Sequence, residues 1–247
     1  MANTCAICGA TINVLQSQKL MDGNYICTKG CRAKGLKYYD YVHSDLDNVK
    51  DHIHQTEVGT KIWQDLMEPL KKTRDKNQKM QSFHPIYIAP SLGLIAVIEA
   101  RGGLFNTKTY ACVYRLENLQ IYKTENMPAR TSGSDKDKKC VHLGFVHTKG
   151  LNDVYIPFDD ETRCHQCVDY LNKLFGLDDS FRSGIKKSVT QFKATKSMWD
   201  LAKAKKNGES LEEKAKATVD AFGATIIGDR TQFKDAADQA LANYDLD

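Results

Sequence analysis

Two closely spaced cysteine pairs constrain this chain more than any other feature. Cys5-Ala-Ile-Cys8 is followed, after 18 residues, by Cys27-Thr-Lys-Gly-Cys31. Each pair folds into one tight corner, and two such corners can surround a single zinc ion with four thiolates. Gly9, directly after the first pair, suits the left-handed backbone that turns N–H groups towards the sulfurs, and Gly30 is placed for a similar part in the wider second pair. The segment between the pairs reads as a small β-hairpin. Thr11, Ile12, Asn13 and Val14 alternate polar and apolar, Asp22-Gly23 is a turn pair, and Asn24, Tyr25 and Ile26 lead back to the second corner. So small a module buries too little apolar surface to fold unaided, and metal binding supplies the missing free energy. Four thiolates fill a tetrahedron and leave no open position, so the expected site of Cys5, Cys8, Cys27 and Cys31 holds one structural zinc. Disulfides would need an oxidising compartment, and a redox Cys-x-x-Cys is expected beside a βαβ pattern that is absent here.

The remaining length admits one ordinary domain and some additional helix, since 247 residues are 41% hydrophobic. A net charge of +4 excludes a chain built throughout as a polycation for nucleic acid. No apolar run approaches the ~20 residues that span a bilayer, and the longest, Leu92 to Ile98, is strand-sized. Met1-Ala-Asn-Thr-Cys5 has neither a basic region nor an apolar core, so no secretion signal is expected and the cytoplasm is the expected location.

After Cys31 the composition turns helical, with Leu36, Tyr38, Tyr39 and Tyr41 among lysines up to Val42. Ser44 followed by Asp47 predicts a helix start, and Leu46, Val49 and Ile53 a helix that Gly59 interrupts. Ile62, Trp63, Leu66, Met67 and Leu70 recur at helical spacing, with Pro69 a kink or end, and Lys71 to Gln81 is polar and basic. From Phe83 the period is that of strands: residues 85–89, 93–100, 109–115, 119–122, 141–147 and 154–158, with a polar loop over 126–139. Asp159, Asp160 and Glu161 then suit the positive end of a helix that buries Cys164, Cys167, Val168, Leu171, Leu174 and Phe175 and ends at Gly176. The expected organisation is a zinc ribbon over 1–42, a helical linker over 43–82, an antiparallel β-domain with its closing helix over 83–177, and a helical tail over 183–247.

The order of Cys5, Cys8 and Gly9, then Asp22, Gly23, Cys27 and Cys31, then a short helical segment and strands closed by a helix, resembles a family of bacterial proteins. That family is commonest in Gram-positives and their mobile elements. In it a four-cysteine zinc-ribbon domain of unknown function precedes a PH-like (pleckstrin-homology-like) domain. The resemblance implies an α+β protein whose β-domain, roughly Phe83 to Gly176, is a PH-like barrel or sandwich. It also implies a non-catalytic character, and no known ligand.

In the tail, Phe192, Thr195, Trp199 and Ala202 mark one helix, Ser210 opens another, Val219, Phe222, Ile226 and Ile227 form an apolar patch, and Phe233, Ala237 and Leu241 continue at helical spacing. These faces pack either on the β-domain or on another copy of the chain. Cys164-His165-x-Cys167, with Cys112 or Cys140, invites a second metal. On a helix, however, His165 points away from the two sulfurs, and buried structural cysteines are the simpler reading. His52 and His54 straddle a helix, and His142 and His147 face opposite sides of a strand. No phosphate-binding glycine loop, nucleophile elbow or His-Glu-x-x-His motif occurs.

The expected function is that of a non-enzymatic zinc-binding protein acting as a scaffold or protein-interaction module. Its partner is a protein or peptide, and the tail provides self-association. A nucleic-acid-binding regulator is the alternative, using Lys29, Arg32, Lys34 and Lys37 beside Tyr38, Tyr39 and Tyr41, and the second group Lys71, Lys72, Arg74, Lys76 and Lys79. Asp40, Asp45, Asp47 and Asp51 dilute that field. Binding to a membrane surface ranks below both.

Overall fold

The computed structural model describes residues 3–75, 78–102, 106–128, 135–148, 153–176 and 230–246. The chain forms two compact units, one of Met1–Val168 with Thr231–Asp247 and the other of Asp169–Arg230. The expected tail elements over 183–229 lie outside the described residues.

The ribbon is two short hairpins. β1 (Asn3–Thr4) pairs antiparallel with β2 (Thr11–Ile12), and β3 (Ser17–Lys19) with β4 (Tyr25–Cys27). The single hairpin expected between Thr11–Val14 and Asn24–Ile26 is therefore divided. Val14–Gln16 is a 3-10 turn, capped by Asn13, whose Oδ1 accepts from the Gln16 N–H at 3.0 Å. That turn ends β2 and leaves Ser17–Lys19 to meet Tyr25–Cys27. The Asp22-Gly23 turn is as expected: Gly23 has φ 86°, and Asp22 Oδ1 accepts from the Asn24 N–H at 3.0 Å.

Residues 32–45 differ from the helical expectation. They form two 3-10 turns, Arg32–Lys34 and Tyr41–His43, and the Ala33 and Gly35 carbonyls and the Leu36 and Lys37 N–H groups bond to side chains of other elements instead of continuing a helix. α1 (Leu46–Ile62) is capped by Asp45, not Ser44: Asp45 Oδ1 accepts from the Asn48 N–H at 2.8 Å, while the Ser44 hydroxyl donates to the Asp40 carbonyl. Nor does Gly59 interrupt α1. A Cβ there would stand 2.5 Å from the Ala111 carbonyl and 2.9 Å from the Val113 nitrogen, so the glycine lets the helix lie directly on strand backbone. The helix passes into a wider turn over Trp63–Met67 and a 3-10 turn over Glu68–Lys72 with Pro69 in its first positions.

Among the described residues, seven antiparallel strands follow. β5 (Gln81–Phe83), β6 (Ile86–Ala89), β7 (Leu94–Arg101) and β8 (Lys108–Arg115) form a four-stranded sheet in that order, and β9 (Leu119–Asn126), β10 (Lys139–Phe145) and β11 (Asp153–Pro157) a three-stranded one. The two sheets do not close into the barrel allowed by the sequence. The 3-10 turn Leu116–Asn118 carries the chain from one sheet to the other without pairing β8 to β9. The Tyr114 and Phe145 rings stack across the sheets at 4.0 Å. Residues 94–98 are buried on both faces, which is why they read as a continuous apolar run instead of an alternation.

α2 (Glu161–Leu174) starts where expected, with Asp160 Oδ1 accepting from the Thr162 N–H at 2.9 Å. α3 (Thr231–Leu241) buries Phe233, Ala237 and Leu241. Ala237 and Leu241 join Ile62, Trp63, Met67, Leu94, Ala96 and Val113 in one core cluster, so this expected helix packs on its own chain. Arg115 pairs with Asp238, and the Tyr244 hydroxyl donates to Asp65 at 3.0 Å.

Candidate metal centre

The two hairpins place Cys5 and Cys8 opposite Cys27 and Cys31. All four sulfurs lie within 4.8 Å of one another. Cys5 Sγ is 3.7 Å from Cys31 Sγ, and Cys8 Sγ is 3.8 Å from Cys27 Sγ. A tetrahedron of sulfurs about 2.3 Å from a central ion has edges of about 3.8 Å. The donor set thus fits a metal ion, and no two of these cysteines are joined as a disulfide.

The backbone supports this arrangement. The Cys27 N–H donates to Cys5 Sγ at 3.3 Å and the Cys31 N–H to Cys27 Sγ at 3.1 Å. Gly9 has the left-handed φ of 73° that its position predicts. Gly30 has a different role from the expected one: its φ is ordinary, and a Cβ there would press on Cys27 Sγ at 2.8 Å. The wider second pair therefore depends on a missing side chain and not on a left-handed turn.

Burial acts to push the Cys5 thiol up, but the N–H groups of Cys8, Cys27 and Ile7 outweigh it and bring it down to about 6. Cys31 moves the other way, raised by burial and by the neighbouring thiols. Four thiolates this close repel one another, and a cation at their centre is what allows all of them to ionise. Cys5 and Cys31 are buried, Cys27 is half-buried and Cys8 is exposed, so the centre is open to solvent on one side.

Ribbon and sheet meet through residues 33–41. Arg101 donates to the Ala33 carbonyl (Nη1, 2.5 Å) and to the Gly35 carbonyl (Nη2, 2.6 Å), with its guanidinium held by Glu99 at 2.6–2.7 Å. Glu99 Oε2 also accepts from the Lys37 N–H at 2.8 Å. The Leu36 N–H donates to His52 Nε2 at 2.9 Å, which fixes the remaining imidazole proton on Nδ1, 4.0 Å from Cys112 Sγ. Thr56 Oγ1 completes the set, 3.2 Å from Cys112 Sγ and donating to the His52 carbonyl. Tyr39 stacks on His52 at 4.1 Å. Burial, aided by the Arg101 charge, pushes His52 down to about 3. His52 is therefore a neutral, fully engaged core residue. Sequence spacing did not reveal this role, because its partners come from three other segments.

The remaining candidates are not brought together as ligands. Burial raises Cys112 and Cys140 to about 12, Cys164 to about 11 and Cys167 further still. Cys140 Sγ bonds to the Glu125 carbonyl, and His165 faces Glu161 at 3.6 Å. His142 has Glu125 at one ring nitrogen (2.9 Å) and Asp153 at the other (2.8 Å), so its neighbours stand on opposite sides. Among the described residues, Cys5, Cys8, Cys27 and Cys31 are the group of three or more such side chains that can share an ion. Of the expected basic patch, Lys34 pairs with Glu57, Lys37 lies over Tyr38 and Arg32 over Tyr41.

Comparison with protein-family models, curated proteins and solved structures finds no match for this chain. Among the described residues no helix is long and apolar enough to cross a membrane.

Proposed function

We propose that this is a non-enzymatic, zinc-binding interaction protein. Its four-cysteine ribbon is a structural module that presents and braces a β-rich binding domain. The observation that carries this reading is the cluster of four sulfurs within 4.8 Å of one another, two of whose separations, 3.7 and 3.8 Å, match a tetrahedral edge. Sulfur-only coordination favours zinc among common ions, and four protein ligands leave no position for a substrate.

A PH-like character for the β-domain rests on the resemblance, which implies antiparallel strands closed by a helix; seven antiparallel strands in two sheets followed by α2 support it. The domain offers sheet edges at β5 and β11, where a peptide could add as a further strand. A protein or peptide is therefore the proposed partner, and self-association falls to the chain between α2 and α3, since α3 has its apolar face in the core.

The test is metal analysis and light scattering on one untagged sample. One zinc per chain, lost on adding a strong chelator, supports the reading. Two zincs would recruit Cys164 and Cys167. Nucleic acid that stays with the protein through purification and is shed steeply with salt would favour the regulator reading instead.

A further inference from the structure

We infer that the segment Arg32–Tyr41 is a metal-responsive latch, with Arg101 and His52 as positioning residues for the metal centre. The inference rests on the reading that Cys5, Cys8, Cys27 and Cys31 hold zinc. Cys31 is the last ligand, and the chain leaves it directly into the Arg32–Lys34 turn. Within the next six residues four backbone groups are held by distant side chains: the Ala33 and Gly35 carbonyls by Arg101, the Leu36 N–H by His52, and the Lys37 N–H by Glu99. Leu36, Tyr39 and Tyr41 are buried, and Tyr41 adds hydroxyl bonds to the Arg32 and Leu36 carbonyls. At the opposite end of the β3–β4 hairpin, Asp22 Oδ2 accepts from the Leu46 N–H and the Ser44 carbonyl from the Met21 N–H. The second ligand pair thus sits between two anchors on the rest of the unit.

Docking of this segment restricts where Cys31 can be, and metal binding restricts where the segment can begin. Two events that constrain the same backbone are linked. The factor by which docking tightens metal binding equals the factor by which metal tightens docking. Loss of zinc therefore loosens residues 32–41 while the sheet, held by its own core, stays folded. Release uncovers the face of α1 around His52 that Leu36, Tyr39 and Tyr41 now cover.

The experiment uses the full chain under reducing conditions, with zinc as the probe. A chromophoric chelator competes for the metal, and hydrogen exchange follows individual amides. Arg101→Ala should weaken zinc binding by about tenfold to a hundredfold, the range for losing charge-assisted hydrogen bonds. Zinc removal from the unsubstituted protein should speed exchange at Leu36 and Lys37 and leave β7 and β8 protected. Gly35→Ala is the second variant, since its Cβ would press on the Tyr41 hydroxyl and meet the His52 ring at 2.6 Å, and it should weaken zinc binding too. Unchanged zinc affinity in both variants, or exchange at Leu36 and Lys37 that ignores zinc, would overturn the latch. A protein that takes up no zinc at all would overturn the metal reading on which it rests.

Discussion

The ribbon and the four-stranded sheet are built from the same kind of short antiparallel pairing, yet they are held by different forces. In the sheet, Ile86, Ile88, Leu94, Ile95, Val97 and Val113 are wholly removed from water. Exclusion of apolar surface is sufficient there, at about 25 cal/mol per Å². In the ribbon, the buried apolar side chains before Cys31 are Ile12, Leu20 and Ile26, while Val14, Leu15 and Met21 face solvent. Its order comes from the four sulfurs and the backbone bonds that aim at them. The lesson is that strand pairing is a common product of two unlike causes, one collective and one concentrated in a few atoms.

The contrast breaks most sharply at the ligands. Cys5→Ser should abolish stoichiometric metal binding and the ribbon's fold together, because a structural zinc contributes apparent binding energies of about 10–16 kcal/mol. The amide signals of β1–β4 should collapse to unfolded positions while those of β6–β8 survive. Loss of both sets would mean that the two regions share one cause after all. Leu94→Ala should act in the other direction, costing about 2–5 kcal/mol in denaturant unfolding by leaving a cavity in the sheet core, with zinc stoichiometry unchanged.

The junction should show itself through pH. An unfolded histidine takes up its proton near 6.5, whereas folded His52 does so only at about 3. Between those values the unfolded chain binds more protons, so stability falls as pH drops, with a limiting slope of about 1.4 kcal/mol per unit from this residue. In His52→Gln, whose amide oxygen can accept from the Leu36 N–H, that slope should disappear. The glutamine keeps an acceptor for the Leu36 N–H, so the difference between the two stability profiles reports the His52 proton. Smallest of all, Lys50→Ala removes an exposed ion pair with Asp47 and should shift unfolding by less than about 1 kcal/mol. It serves as the surface reference.

Local chemistry was legible in the sequence and long-range contact was not. The cysteine spacing brought out the four clustered sulfurs, and the apolar periods located β6 to β11 within a few residues, whereas the short β5 at Gln81–Phe83, at the end of a polar basic stretch, was missed. The Asp22-Gly23 turn and the spacing of Phe233, Ala237 and Leu241 were equally plain. What misled was chemistry with two local meanings. Gly59 reads as a helix break, but its purpose is set by the backbone of β8 lying against it. Ser44 and Asp45 are both good caps, and the choice between them depends on Ser44 bonding back to Asp40. The lysine- and tyrosine-rich stretch after Cys31 reads as helix until Arg101, Glu99 and His52 claim its backbone groups from far along the chain.

The placement of α3 has a consequence for the order of events during synthesis. The core cluster of Trp63, Leu94 and Val113 is completed by Ala237 and Leu241. Ribosomes add about 5–20 residues per second, so the earlier members of that cluster wait several seconds for their last neighbours. Until then Gly93 and the turn around it face water where the backbone of Phe233 will later sit. The nascent chain therefore carries an open apolar face for a defined interval. A chain interrupted after Val168 would carry it permanently, as a natural target for chaperones and proteases.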